Sequence, residues 1–208
     1  MLATLTDRRE FGEDWLLERK FDGERCLARK NLGEVRLESR TANDLTGTYP
    51  EVRAALAGQR NRELLLDGEV VAYHGEQTSF SRLQQRLGVT NPSADRVAAY
   101  PVVFCVFDLL EVDGDDLRGR PLLERRARLT EAVLPSAGLR LSEAWTDDSR
   151  RRFARACRSG WEGLIAKRAQ SPYVAGRSRD WLKLKCVCEQ EFVIGGYTDP
   201  AGTRTDFS

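Results

Sequence analysis

Residues 18–25 read Glu-Arg-Lys-Phe-Asp-Gly-Glu-Arg, set between two runs of strand character at 15–21 and 24–30. The alternation on either side predicts two strands joined by a tight Asp22-Gly23 turn. Such a turn gathers an amine, a carboxylate and a guanidinium (Lys20, Asp22 and Arg25). Gly23 would let backbone approach a ligand closely, and Lys20 and Arg25 suit phosphate oxygens. Taken alone, the segment reads as a solvated turn laced with salt bridges, so its meaning depends on the rest of the chain.

Working outward, 34–39 reads as a third strand and 48–56 as a short helix with Pro50 near its start. Residues 63–73 form a long apolar strand, 79–87 a helix, 102–112 a buried strand and 121–134 a helix opened by Pro121. A helix at 147–160, closed by Gly160, precedes strands at 162–168, 181–187 and 191–198. Strands and helices do not alternate regularly, which disfavours a Rossmann-type parallel sheet and predicts an α+β fold of antiparallel sheets flanked by helices. The strand period of two places Asp67 and Glu69 on one face of an apolar run, where each needs a cation, a metal or a hydroxyl. The same period sets Trp181, Lys183 and Lys185 on one face, and two neighbouring amines call for an anion between them.

The chain has 208 residues, 41% hydrophobic and 31% charged, with a formal net charge of +1. That balance excludes a strongly basic histone-type binder but not local basic patches. No apolar run approaches the roughly 20 residues of a membrane helix, and no signal-peptide core opens the chain, so a cytoplasmic protein without membrane contact is expected. The five cysteines, Cys26, Cys105, Cys157, Cys186 and Cys188, are odd in number and lie mostly in apolar surroundings. They are expected to be reduced, and with His74 as the single histidine, zinc-site spacings are missing.

The split among cations is more telling, with 28 arginines against five lysines. Arg serves wherever a surface cation suffices, so the few lysines mark places where an amine is needed, since only Lys can lose its proton and form a covalent bond. Lys30 is the exception, expected to be a solvated strand end.

Six segments in order, K-F-D-G-E-R at 20–25, S-R-T at 39–41, L-D-G-E-V at 66–70, V-F-D-L-L at 106–110, E-G-L-I-A-K at 162–167 and W-L-K-L-K at 181–185, resemble the motif series of the covalent nucleotidyltransferases. That superfamily includes ATP-dependent DNA ligases, RNA ligases and mRNA capping enzymes. The S-R-T-A-N-D-L-T-G-T-Y-P-E-V run and Q-E-F-V-I-G-G-Y-T near the end look most like the ligase domain of bacterial ATP-dependent DNA ligases of the end-joining type. The resemblance implies a covalent nucleotidyltransferase (ATP-grasp-like) fold over 1–188, and the first strand of a truncated OB-fold in 189–208. It implies that Lys20 attacks the α-phosphorus of ATP to form lysyl-AMP, with Asp22, Arg25, Lys183 and Lys185 as catalytic partners. Glu18, Arg40, Glu69, Phe107 and Lys167 would bind the nucleotide, and Glu69 and Glu162 a Mg2+ ion, with Mn2+ an alternative. AMP would then pass to a 5′-phosphate of nicked duplex DNA, end-joining repair proteins being further partners.

RNA-directed members of the superfamily, or a non-catalytic nucleic-acid-binding module of the same fold, are the alternatives. Glu18 favours adenine, since its carboxylate would repel the O6 of guanine, and the intact Lys20, Glu69, Glu162, Lys183, Lys185 set favours catalysis. Glu162 and Lys167 lie five apart, which on a regular strand sends them to opposite faces, so a bend is expected near Gly163. Two arginine groups, Arg151, Arg155 and Arg158 on one helix and the cluster Arg118, Arg120, Arg125, Arg126 and Arg128, read equally as phosphate contacts or solvated faces.

Overall fold

In a computed structural model, which describes residues 1–186, the strands flanking Asp22-Gly23 do not pair with each other. The expected hairpin is instead a crossover between two sheets, and it carries Lys20 and Arg25 into the cleft between them. The elements in chain order are β1 (Leu2–Leu5), β2 (Trp15–Arg19), β3 (Glu24–Asn31), β4 (Glu34–Ser39), α1 (Pro50–Ala57), β5 (Glu63–His74), β6 (Gln77–Thr78), α2 (Phe80–Gln84) and α3 (Ala94–Ala99). There follow β7 (Val102–Val112), β8 (Asp115–Asp116), α4 (Leu122–Ala132), β9 (Leu139–Leu141), β10 (Ala144–Trp145), α5 (Ser149–Arg158), β11 (Gly163–Arg168) and β12 (Arg177–Lys185). The first sheet runs β1-β12-β11-β2-β10; the second runs β4-β3-β5-β7-β8, with β6 against β5 and β9 against β7. Most pairs are antiparallel, β1–β12 and β7–β9 being parallel.

Why β2 and β3 separate is steric. A Cβ on Gly23 would lie 2.3 Å from the Val70 carbonyl oxygen, so only glycine lets the crossover press against β5. From there β3 pairs antiparallel with β5, opposing Arg25 to Glu69. The core of the second sheet is built from Leu66, Val70, Phe104, Val106 and Leu109, covered by Val52 and Leu56 of α1 and Leu129 of α4. Each such side chain contributes about 1.5–3 kcal/mol by leaving water. The long apolar strands at 63–73 and 102–112 are where the sequence placed them; β1, β6, β8, β9, β10 and α3 carried too short a pattern to be read.

Two further sequence expectations are overturned. Lys30 is only 6% exposed, and its Nζ donates to the carbonyls of Ala57 (3.1 Å) and Gln59 (2.5 Å). The amine is therefore the cap of α1, neutralising carbonyls that the helix end leaves free, and not a solvated strand end. The cysteines are not all reduced either: Cys157, in the last turn of α5, is disulfide-bonded to Cys186, just past β12. Their Cα atoms are 5.4 Å apart although 29 residues separate them in sequence, a proximity that only the packing of α5 beside β11 and β12 creates. Cys26 and Cys105 are free and buried, and burial pushes both thiols up. Closing a loop of that length is worth about 3–4 kcal/mol in the chain-entropy account. Reductant should thus lower the thermal midpoint of the wild-type chain and leave that of a Cys157→Ser variant unchanged; equal response of the two in a melting scan would show that the bond contributes nothing.

No helix among the described residues is long and apolar enough to cross a membrane. The strand expected at 191–198, the OB-fold start assigned to 189–208 and Cys188 lie outside the described residues.

Candidate active site

The cleft between the sheets is a cavity of about 240 Å3, and eight of the expected residues line it: Glu18, Lys20, Arg25, Arg40, Glu69, Phe107, Lys167 and Lys183. Lys20 follows the last residue of β2, where its backbone N–H donates to the Gly163 carbonyl at 3.0 Å. Gly163 is the expected bend. It has φ of 146°, and a Cβ there would fall 1.9 Å from the Leu184 carbonyl oxygen. The bend takes Glu162 out of the β11 alternation, so Glu162 and Lys167 both reach the site despite their odd spacing.

Glu162 accepts a hydrogen bond from Lys20 Nζ through Oε2 and stands 3.8 Å from Lys185 Nζ through Oε1. The carboxylate thus bridges the end of β2 and the end of β12. Lys183, two residues before Lys185 on β12, has its pKa lowered by burial and by the Lys185 ammonium. Asp22 does not line the cavity, but burial and the neighbouring Glu162 carboxylate push its carboxyl up.

Arg25 is held rigidly. Its Nε and Nη2 donate to the two oxygens of Asp67, each at 2.6 Å, Nη2 also donates to the Met1 carbonyl at 3.0 Å, and Tyr173 donates to Asp67 at 2.8 Å. This fork fixes the guanidinium 4.5 Å above the Phe107 ring. On the other strand of the cleft, Lys167 Nζ lies 4.4 Å from the Phe107 ring centre and 4.1 Å from that of Trp181. It forms an ion pair with Glu18 at 2.9 Å, and Glu18, only 1% exposed, also accepts from Arg126 at 2.9 Å and from the Ser142 hydroxyl at 3.0 Å. Burial lowers the Lys167 pKa, with Glu18 acting against it.

Two site residues lacked a sequence assignment. Trp181 shared the face of Lys183 and Lys185 in the strand period, but nothing distinguished a lining ring from a core one. Arg126 was one of five clustered arginines, and its pairing with Glu18, distant in sequence, needed the fold. That cluster is not a phosphate-binding patch of free cations. Arg125 is buried on Asp108 at 2.8 Å, Arg126 is taken by Glu18, and Arg118, Arg120 and Arg128 pair with Asp116, Glu124 and Asp115.

Glu69 differs from its neighbours. Among the described residues it makes no ion pair within 4 Å, and burial pushes its carboxyl up to about 7, against the pull of Arg25 and Lys20. A carboxyl that binds its proton more tightly when folded makes stability fall as pH rises from the unfolded value near 4.5 through about 7. Glu69→Gln should therefore be more stable than wild type at pH 8, by about 1–3 kcal/mol, and equal to it below pH 4.5. Urea melts at the two pH values decide this; an equal difference at both would remove the charge as its cause.

The profile of the family described as an ATP dependent DNA ligase domain matches residues 1–185. The chain belongs to that family. It is 41% identical over 207 residues to the multifunctional non-homologous end joining protein LigD of Pseudomonas aeruginosa, covering 98% of this chain and 24% of that protein. A DNA ligase of Pyrobaculum calidifontis is 37% identical over 194 residues, 88% of this chain and 33% of that one. The chain thus spans about a quarter of the LigD proteins it matches. Among solved structures, a mycobacterial DNA ligase D complexed with ATP and MES superposes with a TM-score of 0.73 at 35% identity, over 88% of this chain and 58% of that one. The Chlorella virus DNA ligase-adenylate shares the fold, with a TM-score of 0.60 at 18% identity. The α+β nucleotidyltransferase fold expected of this ATP-dependent DNA ligase domain is the one present, and the RNA-directed and non-catalytic alternatives are not favoured.

Proposed function

We propose that this ligase domain adenylates itself at Lys20 and passes the nucleotide to DNA. Lys20 Nζ gives up a proton and attacks the α-phosphorus of ATP, a nitrogen–phosphorus bond forms, and the bond to the pyrophosphate oxygen breaks. AMP then moves from Lys20 to the 5′-phosphate of a nicked duplex, and the 3′-hydroxyl displaces AMP to seal the strand. The observation that carries this reading is the Lys20 amine, hydrogen-bonded to Glu162 at the end of a cleft walled by Phe107, Arg25, Lys167 and Lys183. Glu162 keeps the amine aimed and is the nearest acceptor for its proton. Phe107 and Trp181 give a base an apolar wall, and Glu18 stands at that end to accept from the adenine amino group.

Two carboxylates facing a phosphate site suit Mg2+, which takes few protein oxygens and keeps the rest of its shell for phosphate and water. Glu69 and Glu162 would hold it, or Mn2+, and the ion would neutralise phosphate charge. Arg25, Arg40, Lys183 and Lys185 would share that task along the triphosphate. Because its relatives are named for non-homologous end joining, we place the chain in double-strand break repair in the bacterial cytoplasm, with other end-joining proteins as partners.

Lys183 and Lys185 lie where compact ammonium groups matter. Lys185→Arg should slow nucleotide transfer about 10-fold or more although it keeps the charge, since a guanidinium would bind both oxygens of Glu162 and draw the carboxylate off Lys20. Wild-type single-turnover rates in that variant would show that charge alone suffices. The function itself is tested by sealing of a nicked duplex with ATP and with GTP as the sole nucleotide: the reading requires ATP-dependent sealing, and sealing that ran on GTP would refute it.

A further inference from the structure

A second groove, of about 860 Å3, opens beside the end of β2. Arg19, the residue before the nucleophile, lines both it and the nucleotide cleft. Its floor is a four-layer stack. The Arg19 guanidinium lies 4.6 Å over Trp161, the Trp161 and Trp145 rings stack at 6.0 Å and 25°, and Arg152 lies 4.5 Å over Trp145. Both rings are half-buried, and they line the groove. Glu76 and Glu143 also line it, so the net charge of the groove itself is modest.

Strong charge comes from α5, which walls the groove through Arg155. Its sequence, Ser-Arg-Arg-Arg-Phe-Ala-Arg-Ala-Cys-Arg, holds five arginines in ten residues. Arg150 is paired with Glu10 and Arg152 with Asp147. Arg151, Arg155 and Arg158 are exposed and make no ion pair among the described residues, and they fall at i, i+4 and i+7 on one helix face. At 1.5 Å per residue they span about 10 Å, the axial length of about three phosphates of one strand. Cations in a row beside a rigid platform of stacked planes are the elements with which proteins hold unpaired strands, the cations on phosphates and the planar groups, guanidinium included, on bases. A duplex would use the cations alone.

We propose that α5 and the Trp145–Trp161 groove bind an unpaired DNA segment adjoining the strand break, such as an overhang or a frayed end. This rests on the DNA ligase function proposed above and assigns it a single-strand site outside the nucleotide cleft. The strand's phosphates lie along Arg151, Arg155 and Arg158, and its bases stack on the guanidinium planes of Arg19 and Arg152 that close the two ends of the tryptophan pair.

Titration with an oligo-dT decamer tests the site, read by tryptophan fluorescence. Trp15 is 3% exposed, and saturating AMP keeps the cleft beside Trp181 filled throughout, so quenching reports Trp145 and Trp161. The wild-type chain should be quenched, and the combined Arg151→Glu, Arg155→Glu, Arg158→Glu variant should bind about 30-fold more weakly, its log-affinity against log-salt slope shallower by about 2. A matched variant, Arg53→Glu, Arg60→Glu, Arg62→Glu, changes net charge equally away from α5 and should bind as wild type does. Absence of quenching in the wild-type chain, or equal loss in both triple variants, overturns the site. Self-adenylation by the wild-type chain, followed in parallel, reports on the ligase reading alone, so a failure of either is told from a failure of the other.

Discussion

Lys20→Ala should abolish covalent attachment of AMP, a loss of roughly 10^3-fold or more, because no other described amine both meets Glu162 at hydrogen-bond distance and follows the β2 strand into the cleft. Lys30→Met is the informative companion. The Lys30 amine serves the carbonyls of Ala57 and Gln59, near the opposite end of β3 from Arg25. That variant should adenylate at the wild-type rate while losing about 1–3 kcal/mol of stability, since two helix-end carbonyls are left without their charged donor. Intact mass after incubation with ATP, together with urea melts, separates the two effects. Adenylate persisting on the Lys20→Ala chain would remove Lys20 as the nucleophile.

The second large effect concerns a pair that no ligand touches. Arg125 is fully buried, with Nε and Nη2 donating to Asp108 at 2.8 Å each and Nη1 to the carbonyls of Arg120 (2.7 Å) and Ser171 (2.9 Å). It fastens α4 to β7 and to the segment after β11, and α4 in turn supplies Arg126 to Glu18. Arg125→Met should destabilise the chain by about 3–5 kcal/mol, because it strands a carboxylate that burial already pushes upward. The sign with pH follows. In the variant Asp108 is free to take up a proton, so the penalty is smallest below the unfolded carboxylate value, about 4, and grows as pH rises through the folded value. Arg125→Met with Asp108→Leu should recover much of the loss. Urea unfolding at pH 4.5 and 7.5 checks both statements; a pH-independent loss would mean that packing, not charge, holds this joint.

The sequence disclosed the chemistry more fully than the topology. Lysine scarcity pointed to Lys20, Lys167, Lys183 and Lys185 because amine chemistry leaves a mark on composition, and all four stand in or beside the cleft. Lys30 broke the rule because a buried cap also needs a compact ammonium, and composition does not separate the two uses. The alternation of 15–21 and 24–30 revealed strands but not partners; the hairpin was wrong because a Gly-containing turn and a Gly-containing crossover read alike until Val70 is seen against Gly23. The Cys157–Cys186 bond and the Glu18–Arg126 pair join residues that are remote in sequence, and no local pattern encodes them. Arg125 shows the same limit from the other side: on a helical face full of arginines, only the fold tells the buried one from the solvated ones.

The nucleotide is expected on one lysine alone. Incubation of the purified chain with Mg2+ and ATP, quenching in denaturant, and peptide mapping by mass spectrometry measure this directly. The account predicts one AMP per chain, bound through an acid-labile nitrogen–phosphorus bond on the peptide containing Lys20 and discharged by added pyrophosphate. AMP mapped to Lys167, Lys183 or Lys185 instead, or a chain that turns over ATP without any covalent adduct, would contradict it.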